Sequence, residues 1–236
     1  MLESWIAVAR GPLLRLALLA MALGLLRQVL MQIWEISWAW KRAGDRVVPW
    51  RLVIRRNLAW LFPWRYLQRK ERQLYNFTSF VFHVGVISVP VFLAGHVAIW
   101  RKELGVSWWV LPPRVADWLS VLTLMAALGL VAGRAANRAS RRISTLQDWL
   151  LPVLCSVPFV TGLWVAHPAS SPFNAQAVYL VHLLSAELLL VLVPFSKLVH
   201  MVLFWVSQIS SELGWRFPPG SGERVRASLG RGAEGV

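Results

Sequence analysis

Five histidines, His83, His96, His167, His182 and His200, stand in or beside the most apolar stretches of the sequence. Imidazole is the side chain best able to bind a metal there as a neutral donor. A polar group in apolar surroundings is costly, so each marks a functional site by default. An α-helix advances about 100° and about 1.5 Å per residue, which turns the spacings into a test. His182 and His200 are eighteen positions apart, so an ideal helix returns them to one face roughly 27 Å apart. His83 and His96 are thirteen apart, a rise of roughly 20 Å that leaves them about 140° from a common face. Pro90 and Pro194 fall between the members of the two pairs. A proline inside a helix removes a hydrogen bond and kinks it, so rewinding near Pro90 can turn both histidines toward the helix of His182.

The elements that must position these residues are membrane spans. With 57% hydrophobic residues and 15 Trp in 236 residues, the composition is that of a chain dissolved in a bilayer. A spanning helix needs about 20 mostly apolar residues, and five stretches qualify: Gly11–Trp34, Asn76–Trp100, Pro113–Gly133, Leu146–Ala166 and Ala177–Ser207. The fold class expected is an all-α bundle of five transmembrane helices. Its segments are 1–75, the first helix with a basic, Trp-rich loop; 76–207, a four-helix region carrying the histidines; and 208–236, a tail. Arg10 and Arg15 ahead of Leu16–Leu26 and Ala20-x-Ala22 resemble a secretory leader; an uncleaved helix is the expectation.

Lysine and arginine are unevenly distributed among the connections, and that bias sets orientation. The Glu35–Tyr75 connection carries ten of them, Arg134, Arg138, Arg141 and Arg142 follow the third span, and Arg216, Arg224, Arg226 and Arg231 lie in the tail. These segments are expected inside, with the N-terminus outside. The net charge of +14 is explained by topology and anionic head groups rather than by nucleic acid, since no base-stacking or groove-reading module accompanies it. Pro49–Tyr66 alternates Trp50, Leu52, Ile54, Leu58, Trp60, Leu61 and Trp64 with Arg51, Arg55 and Arg56. Three readings stand for it: an amphipathic helix at the inner interface, a plain basic loop, or a docking surface for a partner.

With this orientation His83 meets His200 near the inner side and His96 meets His182 near the outer side. Two imidazoles facing each other at each of two depths are what bis-histidine haem iron needs, and Gly85 and Gly95 leave room for a macrocycle. Zinc lacks the carboxylate or thiolate that would complete a tetrahedron. Interhelical hydrogen bonding is the alternative use for the histidines. The one cysteine, Cys155, excludes an internal disulfide, a cysteine-ligated cluster and covalent C-x-x-C-H haem attachment, and reads as packing.

Phe82-His83-Val84-Gly85, Gly95-His96, His182 and Pro194-Phe195-Ser196-Lys197-Leu198-Val199-His200 together resemble the di-haem cytochrome b (gamma) subunit of respiratory nitrate reductase and its relatives, over about residues 70–205. The resemblance implies two haem b groups, with His83 and His200 on the inner one and His96 and His182 on the outer one. It also implies electron transfer between membrane quinol and a cytoplasmic or membrane-associated redox subunit, iron–sulfur or other, in a bacterial or archaeal inner membrane. The chain would then be the quinol-oxidising part of a multi-subunit oxidoreductase. Three departures are visible, one being a basic, Trp-rich early loop longer than the family's, which suggests a different partner. The family's first histidine pair is more tightly spaced, and a lysine that follows a Leu-Pro-x-x-Val pattern is replaced here by Ala116 after Leu111-Pro112-Pro113-Arg114-Val115. Arg114 is therefore the candidate quinone-binding cation, with Asp117 and His167 as proton acceptors on the same side. The alternative function is a haem-free anchor or transport subunit whose histidines relay protons, with Glu187 the main acid within a span.

Overall fold

The computed structural model describes residues 1–43, 49–61, 73–214 and 220–230, and among these every regular element is helical. The helices are α1 (Leu2–Arg42), α2 (Trp50–Leu61), α3 (Gln73–Phe92), α4 (Ala94–Leu104), α5 (Pro113–Ala136), α6 (Arg138–Ile143), α7 (Leu146–Ala166), α8 (Ala175–Leu192), α9 (His200–Gly214) and α10 (Ser221–Ser228). Five are long and apolar enough to cross a membrane: Leu2–Arg42, Gln73–Phe92, Pro113–Ala136, Leu146–Ala166 and Ala175–Phe195. The chain forms two compact units, Met1–Met21 with Pro63–Ser196, and Ala22–Phe62 with Lys197–Val236.

Three expected boundaries move, each for a backbone reason. The first helix runs well past Trp34 to Arg42, and its 41 residues extend roughly 60 Å, about twice a hydrocarbon core. Pro12 sits inside it and lacks an amide hydrogen, and there the helix widens into a π turn over Ala9–Leu13. The second span is not one helix to Trp100. It stops at Phe92, Leu93 is extended (φ −69°, ψ 133°), and α4 begins anew. The fifth span likewise ends at Leu192 and gives way to tight turns at Val193–Phe195 and Lys197–Val199, with Ser196 extended between them (φ −130°, ψ −177°). His182 and His200 therefore do not share one continuous helix, because Pro194 interrupts the ladder between them. The fourth span is found as expected, opened by Thr145, whose backbone N–H and hydroxyl donate to Asp148 Oδ2 at 2.8 and 2.9 Å.

Within the first unit, α3 packs on α5 through small residues. Ala116, Ser120, Thr123, Ala127 and Leu130 form the buried stripe of α5, spaced by three and four. Ser120 and Thr123 return their hydroxyls to Ala116 O and Leu119 O at 2.8 and 2.6 Å, so no polar group is left bare in the contact. Gly85 faces this stripe, and a Cβ there would overlap Thr123 Oγ1. Gly85 thus serves helix approach rather than the room for a macrocycle expected of it. The opposite face of α5 leaves Trp118, Met125 and Leu128 exposed, as lipid-facing residues are.

Within the second unit, Val53 of α2 is buried with Ala43, among Ile36, Ala39 and Ile209. Burial of one valine stabilises by roughly 1.5 kcal/mol. Trp50–Leu61 is therefore a helix with a packed face, not a plain loop; 62–66 of the Trp-rich stretch lie outside the described residues, as do Arg46, Arg65, Arg69, Lys70, Arg72, Arg216 and Arg231 of the basic segments.

Candidate functional site

Breaking α3 at Leu93 leaves three carbonyls without helical partners, and each acquires a specific donor. Pro90 O lies 3.0 Å from His96 Nδ1, Val91 O accepts from Trp108 Nε1 at 2.9 Å, and Phe92 O accepts from the Leu111 backbone N–H at 2.9 Å. The break at Leu93 therefore also anchors a histidine. The Trp108–Leu111 segment is tied down with it, and Trp109 stacks on Phe92 at 4.5 Å and 16°.

His182 is held from across the α7–α8 contact. Its Nδ1 is 3.0 Å from Pro158 O and 3.2 Å from Thr161 Oγ1. Thr161 already donates its hydroxyl to Val157 O at 2.8 Å, so toward the imidazole it accepts. Gly162 lies against the ring, where a Cβ would stand 3.2 Å from His182 Cε1. None of these three supporting residues was singled out in the sequence; the signal was a threonine beside a glycine in an otherwise apolar span.

The two rings come together. His96 and His182 have centroids 6.1 Å apart and planes within 9° of each other, and both are half-buried. A carbonyl can only accept, so each Nδ1 carries the hydrogen and each Nε2 is the bare nitrogen of a neutral ring. A metal bond of about 2 Å to each imidazole, plus about 1 Å from nitrogen to ring centre, spans roughly 6 Å between centroids. The observed separation matches the length that one metal ion shared by two imidazoles would need. At Gly95, beside His96, a Cβ would meet nothing within 4 Å, so the open space expected there is present.

The same anchoring recurs at the other two histidines. His83 Nδ1 is 2.7 Å from Ser79 O, and His200 Nδ1 is 2.6 Å from Lys197 O. His83 belongs to the first unit and His200 to the second. In all four, a backbone carbonyl orients the ring and fixes its tautomer, the arrangement usual behind metal-ligating histidines. Among the described residues no three His, Cys, Asp or Glu converge where a metal ion could be held.

His167 differs: its Nε2 is 3.1 Å from Asp117 Oδ2. The C-terminus of α7 and the N-terminal part of α5 meet here, and the two residues expected as separate proton acceptors form one pair. Arg114, three positions before Asp117, is exposed and makes no hydrogen bond or ion pair among the described residues. On α4, Glu103 accepts from Arg15 Nε at 2.9 Å, which holds its carboxyl below the ordinary range.

No family model matches the chain, and no solved structure matches it. A relative from Nitratidesulfovibrio vulgaris (strain Hildenborough), described only as a protein, is 32% identical over 205 residues, covering 86% of this chain and 89% of its own length. The chain belongs to the same family as that Nitratidesulfovibrio vulgaris protein.

Proposed function

We propose that this chain is a membrane di-haem cytochrome b subunit that transfers electrons between the quinone pool and a redox partner subunit, in a bacterial or archaeal inner membrane. The observation that carries the reading is the facing pair His96 and His182, 6.1 Å apart, near-parallel, each with Nδ1 on a carbonyl. The sequence resemblance assigns His83 and His200 to the second haem; each ring separately carries the same anchoring, on Ser79 O and on Lys197 O. Bound haem supplies one-electron carriage. The chain's own residues hold the rings in the ligating tautomer.

Quinol oxidation is placed at the outer end, where α5 begins and α7 ends. Arg114 is free to hydrogen-bond a quinone oxygen with a fixed, charged donor set. Asp117, already paired with His167 at 3.1 Å, takes a quinol proton and passes it to the imidazole. The N-terminus is outside and the C-terminus inside, so those protons leave outside while electrons move inward. Arg51, Arg55, Arg134, Arg138, Arg141 and Arg142 then face the cytoplasm, where they meet lipid head groups and a soluble or membrane-associated redox subunit.

The test is the absorption spectrum of the purified chain, oxidised and then reduced. Paired b-type bands support the proposal, and a protein that is well folded and colourless when produced with ample haem refutes it.

A further inference from the structure

We propose that Glu187 is a proton-binding site of the membrane interior whose proton occupancy rises as the centre held by His96 and His182 gains one electron. The inference rests on the reading of those histidines as haem ligands. Glu187 lies within the apolar helix α8 and is 4% exposed. Both carboxyl oxygens are buried, with no hydrogen-bond partner among the described residues. A buried polar group without a partner calls for an explanation, and an unpaired carboxylate in apolar surroundings is tolerated only where a nearby positive charge or a proton neutralises it.

The five residues from His182 to Glu187 amount to a rise of about 7.5 Å. An oxidised iron in a porphyrin dianion with two neutral imidazoles carries one net positive charge, and reduction removes it. The same five residues turn the helix by about 140°, which puts the carboxyl roughly 15 Å from such an iron; at an effective dielectric near 20, loss of that charge changes proton affinity roughly sixfold. Among the elements against α8, α4 brings His96, stacked on His182, and the others offer no substitute. The Leu146–Ala166 helix carries Asp148, engaged with Thr145, and the buried Cys155; the Leu2–Val8 turns carry Glu3, bonded by Gln176 at 3.3 Å; the π turn carries Arg10; the Val193–Phe195 turn carries none. On α8 itself the titratable groups are Tyr179 and His182. The balance is simple: the electron comes from the quinol of the proposed reaction, the proton comes from water, and the one bond made is O–H on the carboxyl.

Redox-induced infrared difference spectroscopy of the full chain is the test. Reduction should bring up a carboxylic acid carbonyl band that shifts with carbon-13 glutamate labelling, moves in deuterium oxide and disappears in Glu187→Gln. The midpoint potential of the outer centre should fall with rising pH more steeply in wild type than in that variant. Intact absorption from both centres with no glutamate band in labelled wild type, or with the band and pH slope unchanged in Glu187→Gln, overturns the inference. Absence of haem absorption would instead refute the reading beneath it, and the labelled wild-type experiment decides the matter even where the variant does not fold.

Discussion

Thr161→Val probes the ligand geometry while preserving shape. The hydroxyl lies 3.2 Å from His182 Nδ1, while Pro158 O, at 3.0 Å, keeps the second half of that interaction. A neutral hydrogen bond contributes about 0.5–1.5 kcal/mol net, and changes behind a metal-ligating histidine typically cost 10–100-fold in affinity. Because the carbonyl remains, the expected loss is at the lower end, about tenfold or about 1.4 kcal/mol. The assay is haem retention on dilution of the purified chain, followed in the bands of the two centres separately. The outer centre should lose haem about tenfold more readily while the centre of His83 and His200 is unchanged. Equal weakening of both centres, or no change in either, would refute the claim that Thr161 orients a ligand.

The histidine pairs make a sharper but coarser set. His96→Ala or His182→Ala should remove the outer haem, and His83→Ala or His200→Ala the inner one, as read by haem per chain; uniform loss of both from every variant would contradict the pairing. Gly85→Ala drives a methyl into Thr123 and should lower stability by about 1–3 kcal/mol, measured as a reduced melting temperature with both absorption spectra retained until unfolding. Asp117→Asn, with both haems present, should slow reduction by a quinol analogue, whereas an unaffected rate there and a loss on changing residues near His83 would move the quinol site to the other side. Arg15 holds Glu103 ionised below its ordinary range, so any stability the pair adds is present above the unfolded carboxylate's pKa and is lost as pH falls through the lowered one. Wild type and Glu103→Gln should therefore converge in melting temperature on acidification. Cysteines introduced singly at positions 51 and 141 should be shielded from impermeant reagent added outside intact cells.

Length and hydropathy made the five spans legible, because a run of about 20 apolar residues has few other uses. Their ends were less so. Glu35–Arg42 continues the first helix although its composition is that of a loop, and Val53 shows why the neighbouring stretch is structured: its face is covered by Ala43 and Ile209, which no local pattern announces. Pro90 and Pro194 pointed correctly to irregular backbone, but the break falls at Leu93, three residues beyond Pro90, where the freed carbonyls find His96, Trp108 and Leu111. His96 and His182 were legible as a pair from depth alone. Thr161, Gly162 and Pro158 were not, since support from a neighbouring helix depends on the angle at which two helices meet. The joining of Asp117 to His167 likewise appears only when helix ends are placed together.

The central claim is tested most directly by electron paramagnetic resonance of the oxidised, purified chain together with its haem content. Two haems per chain, both low-spin, with the signal lost in His96→Ala being the rhombic one that near-parallel imidazole planes give, is the expected result; the 9° between the His96 and His182 rings is the geometry it reports. A high-spin centre, a perpendicular-plane signal from that pair, or no haem in folded protein would contradict it.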